Sequence, residues 1–260
     1  MFQQRYGPWA VIVGGSEGVG ASFARKLARA GLDLVLLARK PGPLAELEKA
    51  LRSEFPVEVR TASLDVTAPD LLAQVKRLTD DLDVGLLIYN AGSVLPQPFL
   101  DAPLEDALHA MRLNPIGQLT LCHHFGRRLR ARERGGIILV GSISGCAGAA
   151  GTAVYSGAKA FTQRFGEGLW AALKPCGVDV LTLVIGATRT PFMERAGLPL
   201  DHPDMPASDP DDIAQLGLDE LANGPVQVPA HLQETFAALS SMPRRAATEV
   251  MTRAAESFNA

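Results

Sequence analysis

Several features are scarce in this chain, and each scarcity narrows its function. Cysteine occurs only three times in 260 residues, as Cys122, Cys146 and Cys176. The three are far apart, odd in number and outside CxxC or Cys/His ligand spacing, so they read as reduced structural residues, and no metal is expected. Charge of one sign is missing too: a net charge of −3 offers no basic face to a phosphate backbone, and nucleic acid is not an expected partner. No run reaches the roughly 18 apolar residues of a membrane span, and MFQQRYGPW lacks the charged-then-apolar order of a secretory signal. The cytoplasm is therefore the expected compartment. Neither an internal repeat nor a break in composition divides the chain, so one domain over residues 1–260 is expected.

What the chain does have is a rhythm. Apolar, β-branched runs occur at Trp9–Val13, Asp33–Ala38, Val57–Ser63, Val84–Tyr89, Gly136–Val140 and Asp179–Ile185. Their continuity suits strands buried on both faces. Amphipathic stretches separate them, at 21–30, 43–54, 69–82, 104–132 and 152–174. The β, α, β, α order predicts an α/β fold with a doubly wound parallel sheet, the Rossmann type. The proline-rich stretch 191–210 breaks the rhythm and is expected to be a mobile substrate loop. Asp209, followed by Pro210, Asp211 and Asp212, has the form of a helix start. A helical tail is expected from His231 onward.

Immediately after the first run comes GGSEGVG, with Gly14, Gly18 and Gly20 spaced as GxxxGxG. Glycine there lets the backbone turn sharply and approach a pyrophosphate seated on a helix N-terminus near Gly18, although a turn of this kind also serves tight packing alone. Past the tip of the second run stands Arg39, where a carboxylate would hold the free ribose hydroxyls of NAD. A guanidinium there can instead pair with a ribose phosphate, which favours NADP(H) over NAD(H). Two readings stay open beside this one: Arg39 as a solvated charge, and Glu17 as a carboxylate that would repel a nearby phosphate.

Tyrosine is scarce as well, with three residues in the chain, and one of them heads YSGAK. Tyr155 and Lys159 are four apart near the start of a predicted helix, so both project from one face. Ser142 ends the run GGIILV, at the carboxyl edge where open α/β sheets bind ligands. Asn114 lies in the preceding long helical stretch, and Asn90-Ala91-Gly92 follows the fourth run. Taken singly, Asn114 reads as a buried amide serving helix backbone and Ser142 as a strand-end cap.

Together, the glycine turn, Asn90-Ala91-Gly92, Asn114, Ser142 and YxxxK resemble the short-chain dehydrogenase/reductase family in order and spacing, over about residues 8–230. The look is nearest to the branch of hydroxysteroid dehydrogenases and long-chain β-ketoacyl reductases. The resemblance implies an enzyme in which Asn114, Ser142, Tyr155 and Lys159 relay a proton while hydride passes between nicotinamide and a carbonyl or carbinol carbon. It implies cofactor contacts at Gly14, Ser16, Glu17, Gly18, Val19, Gly20, Arg39, Asp65, Val66, Asn90, Ala91, Gly92, Tyr155, Lys159, Gly186, Thr188 and Thr190. A homodimer or homotetramer, built through the helices at 104–132 and 152–174, is also implied.

Elementary chemistry sets a demand on this arrangement. A free phenol titrates near 10, so acid–base work near neutrality requires a downward shift of about 3 pH units, or about 4 kcal/mol, from the Lys159 ammonium and the oxidised nicotinamide together. Two positions depart from the family pattern. Val13 replaces a common threonine before the glycine turn, and Ile185 replaces a proline before Gly186, which puts the turn's hydrogen bonding and that loop's rigidity in question. The small residues of GCAGAAG, 145–151, either leave room for a bulky apolar substrate or relieve crowding of the backbone. Leu198, Phe192 and Met193 on the predicted loop are compatible with an apolar pocket. His123 and His124 read as structural or solvated. The expected function is interconversion of a ketone and a secondary alcohol on a fairly apolar small molecule. The alternative is a non-catalytic NADP(H) sensor or interaction protein on the same fold, against which the intact tetrad argues.

Overall fold

Seven parallel strands hydrogen-bond into one sheet in the order β3-β2-β1-β4-β5-β6-β7 in the computed structural model, which describes residues 2–93, 98–195, 200 and 206–259. The strands are β1 (Trp9–Val13), β2 (Asp33–Ala38), β3 (Val59–Ser63), β4 (Val84–Tyr89), β5 (Gly135–Ser142), β6 (Val178–Ile185) and β7 (Val226–Gln227). This is the expected doubly wound sheet. The chain steps outward from β1 to β3 and then returns to place β4 on the other side of β1. The crevice opens at that reversal, beyond the carboxyl ends of β1 and β4.

Alternate residues of each strand feed two cores. Ala10, Ile12, Leu34, Leu36 and Ile88 pack on one face against helices Gly18–Arg29, Pro41–Glu54 and Pro210–Asp219. Val11, Val13, Val35, Leu37 and Leu87 pack on the other face against Leu71–Thr79, Gly117–Arg132 and Ala153–Leu173. Five consecutive residues of β1 are almost fully buried. At about 2 kcal/mol for each large side chain, such burial outweighs local propensity and explains the unbroken apolar runs.

The structure adds to or differs from the expected elements at four places. First, β3 begins at Val59 and not at Val57, because the Val57 amide still donates within the preceding turn, to the Phe55 carbonyl at 2.9 Å. Second, the stretch 104–132 is not one regular helix: helices Leu104–Met111 and Gly117–Arg132 flank a π turn, Arg112–Ile116. Third, β7 joins the sheet through only two residues, too few for a periodic signal. Fourth, the stretch 191–210 opens with a short helix, Pro191–Arg195, whose Met193 amide donates to Thr190 Oγ1 at 3.3 Å. The stretch ends on a Thr188–Ser208 bridge and on Asp209, which caps helix Pro210–Asp219 by accepting from the Asp211 amide at 2.7 Å. Residues 196–199 and 201–205, including Leu198, lie outside the described residues.

The tail forms helices Gln233–Ser241 and Arg244–Asn259, which fold back over residues 143–152. Leu239 and Ala247 pack with Ala147, and Arg244 Nη2 donates to the Cys146 carbonyl at 2.8 Å.

Candidate functional site

The glycine turn sits at the carboxyl end of β1. Gly18 holds φ of +53°, and a Cβ on Gly20 would lie 2.0 Å from the Gly14 carbonyl oxygen, so no larger residue fits there. The Asn90 side chain ties the turn down, its Nδ2 donating to the Gly14 carbonyl at 3.0 Å. Amides of both Asn90 and Ala91 donate to the Val13 carbonyl. The turn is thus held by main chain and the Asn90 side chain, with the Val13 carbonyl as a shared acceptor. Glu17 occupies the N-cap position of helix Gly18–Arg29, yet its carboxylate caps none of the first-turn amides. Those amides, at the positive end of the helix dipole, suit a pyrophosphate.

The Glu17 carboxylate turns aside to two cations. Arg195 grips it through both oxygens at 2.7 and 3.0 Å, and Lys40 Nζ lies 3.6 Å away. Hydrogen bonds from Arg195 hold its titration below the ordinary carboxylate range, although partial burial pushes the other way. The repulsion expected between Glu17 and a phosphate is therefore muted. Arg39 is exposed at the tip of β2, with Ser63 Oγ donating to its carbonyl.

The reacting side chains converge from three elements. Ser142 ends β5, where its Oγ accepts from the Ser144 amide at 3.2 Å and starts a short 3-10 turn. Tyr155 and Lys159 stand in the first two turns of helix Ala153–Leu173, and Lys159 Nζ lies 5.7 Å from the centre of the Tyr155 ring. Lys159 is buried and donates to the Val140 carbonyl at 2.9 Å. In the π turn, Leu113 frees its carbonyl, which Tyr89 Oη takes at 2.6 Å. That widened turn aims Asn114 inward. Asn114 Nδ2 donates to the Ala110 and Ser93 carbonyls, so the amide does serve helix backbone, but its buried Oδ1 has no partner among the described residues. A Cβ placed on Gly92 would lie 2.8 Å from Asn114 Oδ1 and 3.4 Å from Lys159 Nζ, so both groups flank that glycine.

One cleft collects most of these residues. Glu17, Gly18, Val19, Asn90, Gly92, Ser142, Tyr155, Lys159, Gly186, Thr188 and Thr190 line it, together with Ile185, Phe192 and Met193. A profile of the short chain dehydrogenase family matches residues 8–199 of the chain. The chain belongs to that family.

This chain is 35% identical to a very-long-chain 3-oxoacyl-CoA reductase of Aspergillus clavatus over 67% of its own length and 52% of the relative's. It therefore spans about half of that relative. It is 30% identical to a 7beta-hydroxysteroid dehydrogenase of Clostridium sardiniense, over 85% of this chain and 84% of the other. Among solved structures, a short-chain dehydrogenase from Sphingobium yanoikuyae in complex with NADPH is 33% identical, with a TM-score of 0.81, covering 89% of this chain and 92% of that one. Family membership makes the protein an oxidoreductase.

Other expected residues of the dehydrogenase fall around the cleft in different ways. Gly14, Ser16, Gly20 and Ala91 shape the glycine turn behind it. Asp65 spends one carboxylate oxygen on the amide and hydroxyl of Thr67, both at 2.8 Å, and Val66 is buried. Partial burial pushes the Asp65 titration upward, and the Thr67 bonds and the nearby Arg39 charge reverse that to a net lowering. Ile185 continues the ladder opposite Ser142, so the departure from proline extends β6 to its tip.

Residues 145–151 do not line the cleft. A Cβ on Gly145 would stand 2.7 Å from the Lys159 carbonyl, and Ala147 is covered by the C-terminal helices, so crowding accounts for these two residues, whereas Gly148 and Gly151 have open space beside them. Sequence reasoning missed Ser93, Val140 and Ile185 in the lining, and Lys40 and Arg195 at its mouth. Adjacency to Arg39 could have flagged Lys40. Nothing in the pattern flagged Arg195.

The electrostatics also differ from expectation. Burial raises the Tyr155 titration above its ordinary value, and a hydrogen bond from Ser142 only partly opposes this. Burial lowers Lys159 to about 8. The net shift of the phenol is thus upward, opposite to the downward shift expected, and its largest cause is desolvation of the phenol itself.

Proposed function

We propose that the protein is an NADP(H)-dependent carbonyl reductase and secondary-alcohol dehydrogenase acting on fairly apolar small molecules, with Tyr155 as the general acid and base. The observation that carries this reading is the convergence of Ser142, Tyr155 and Lys159 with the glycine turn on one cleft at the carboxyl edge of the sheet. The uncapped amides of helix Gly18–Arg29 fit a pyrophosphate, and Arg39 with Lys40 fits the ribose phosphate that distinguishes NADP(H). Asp65 and Val66 would border the adenine, and Gly186, Thr188 and Thr190 the carboxamide. Bound NADPH would supply a hydride from nicotinamide C4 to the carbonyl carbon.

Ser142 Oγ would hold the carbonyl oxygen, and Tyr155 Oη would deliver the proton to it, leaving a phenolate that the neighbouring ammonium stabilises. Lys159, with Asn114 Oδ1 beside it, would return a proton to that phenolate. Ile185, Phe192 and Met193 give the substrate end of the cleft its apolar wall. The relatives named for hydroxysteroid and long-chain oxoacyl substrates agree with such a wall. A homodimer is part of the proposal, because Leu104, Leu108, Met111, Ile116 and Leu119 are exposed in helix positions that face one way.

The test is a binding titration with NADPH against NADH, followed by turnover of two probes, a 7β-hydroxysteroid and a long-chain 3-oxoacyl-CoA. Tighter binding of NADPH and turnover of either probe are expected, with Tyr155→Phe losing about 10²- to 10⁴-fold in rate while still binding NADPH. A Tyr155→Phe protein with undiminished turnover would overturn the acid–base role. An Arg39→Asp protein that keeps its preference for NADPH would overturn the cofactor assignment.

A further inference from the structure

Helix Ala153–Leu173 presents a third polar side chain on the face that carries Tyr155 and Lys159. Gln163 stands one turn beyond Lys159 and two beyond Tyr155, and it is only 3% exposed. Its Nε2 donates to the Ser142 backbone carbonyl at 2.9 Å and lies 3.8 Å from Cys146 Sγ.

The reason for that bond lies in the sheet. β4 ends at Tyr89, paired with Leu139, so the last residues of β5 have lost their neighbour on that side. Two carbonyls there, of Val140 and Ser142, take side-chain donors in place of a strand: Lys159 Nζ at 2.9 Å and Gln163 Nε2 at 2.9 Å. The same glutamine backs the turn that follows, since a Cβ on Gly145 would meet Gln163 Nε2 at 2.7 Å. A buried carbonyl left without a donor is costly enough to move an unpaired strand end.

We propose that Gln163 is a positioning residue: it fixes the main chain at Ser142 so that the serine hydroxyl meets the Tyr155 phenol. This rests on the acid–base role proposed above. Gln163 does not itself line the cleft, and its link to the site passes through Ser142. Lys159 is the charged group beside Tyr155 and keeps its own bond to Val140.

Gln163→Met keeps the length and removes the donor. The first readout needs no substrate: tyrosinate absorbance of the variant against pH, with the same protein carrying Tyr155→Phe subtracted, follows Tyr155 alone. Loss of the Ser142 bond should move that titration to higher pH by about 0.5 pH unit or more. In a Ser142→Ala background the same substitution should add nothing. The second readout is kinetic: kcat for the probe that is turned over should fall at least tenfold, while affinity for NADPH stays within twofold.

An unmoved Tyr155 titration overturns the proposal, and so does a shift that persists in the Ser142→Ala background. A parallel loss of NADPH affinity and melting temperature with unchanged kcat also overturns it, because that is how a core filler behaves. Should Gln163→Met fail to fold, Gln163→Asn, whose amide falls one methylene short of the Ser142 carbonyl, carries the same expectations. If the unmutated protein turns over neither probe, the proposed function fails while the tyrosinate titration still decides the role of Gln163.

Discussion

Lys159 is a buried cation that donates a hydrogen bond to a neutral carbonyl, and burial lowers its titration from the ordinary 10.5 to about 8. Because its folded value lies below its unfolded one, the lysine destabilises the fold at pH below 8, and this penalty fades as pH climbs from about 8 to 10.5. The size is about 3 kcal/mol, of which the lost bond to Val140 would take back about 1 on substitution. Lys159→Met is expected to be about 2 kcal/mol more stable than the unmutated protein at pH 7 and no more stable near pH 10.5, as read by thermal melting at both, while losing turnover. A residue that weakens the fold but occupies the proposed proton path fits a functional explanation better than a structural one.

At the same scale, the raised Tyr155 titration has a direction that can be checked. Ketone reduction uses the protonated phenol, so its rate should hold across neutral pH and fall only in alkali. Alcohol oxidation uses the phenolate and should rise with pH over the same range. An oxidation rate that declines from pH 7 to 9, measured with saturating cofactor, would contradict Tyr155 as the base.

Two elements carry features that one residue cannot. The π turn Arg112–Ile116 inserts an extra residue between helices Leu104–Met111 and Gly117–Arg132. It sets Asn114 against Gly92, which lines the cleft, and the longer step across it keeps Ile116 and Leu119 in line with the exposed stripe of Leu104, Leu108 and Met111. Sequence periodicity located this stretch as helical but assumed a regular pitch, although Pro115, which lacks an amide proton, lies inside the turn; Tyr89, 24 residues before Leu113, donates to the Leu113 carbonyl.

The second feature is a strap. Glu17 in the glycine turn and Arg195 at the end of helix Pro191–Arg195 form a bidentate pair, and a Cβ on Gly18 would touch the Thr190 side chain at 2.7 Å. The turn and the short helix therefore meet across the mouth of the cleft. Solvent screens so exposed an ion pair, and Arg195→Ala should speed NADPH dissociation only about twofold to fivefold in stopped-flow fluorescence. High salt should erase most of the difference.

At the scale of the whole molecule, the exposed stripe on 104–119 is long and apolar, with Leu104 at 64% and Ile116 at 52% exposure. In water such a face favours a second copy of the chain. Leu108→Arg combined with Leu119→Arg should reduce the sedimentation mass to that of a single chain, and an unchanged mass would place the interface elsewhere. The C-terminal helices also act at this scale. They pack on Ala147 and bond the Ala150 amide, so Ala147 serves packing, a role that could not be separated from substrate room until the tail was seen to fold back.

Sheet, strand sequence and catalytic candidates were legible in the chain because they depend on local pattern. Both-face burial writes an unbroken apolar run, a dinucleotide turn requires glycine at fixed spacing, and a tyrosine and lysine four apart share a helical face whatever surrounds them. The partners of each charge could not be read this way. Glu17 meets Arg195 across 178 residues, Ser142 is held by Gln163 across 21, and Lys159 loses its proton more easily only because the folded chain strips away its water. Solvation and long-range contact belong to the tertiary structure, which alone decided how strongly the cleft holds its protons and what closes its mouth.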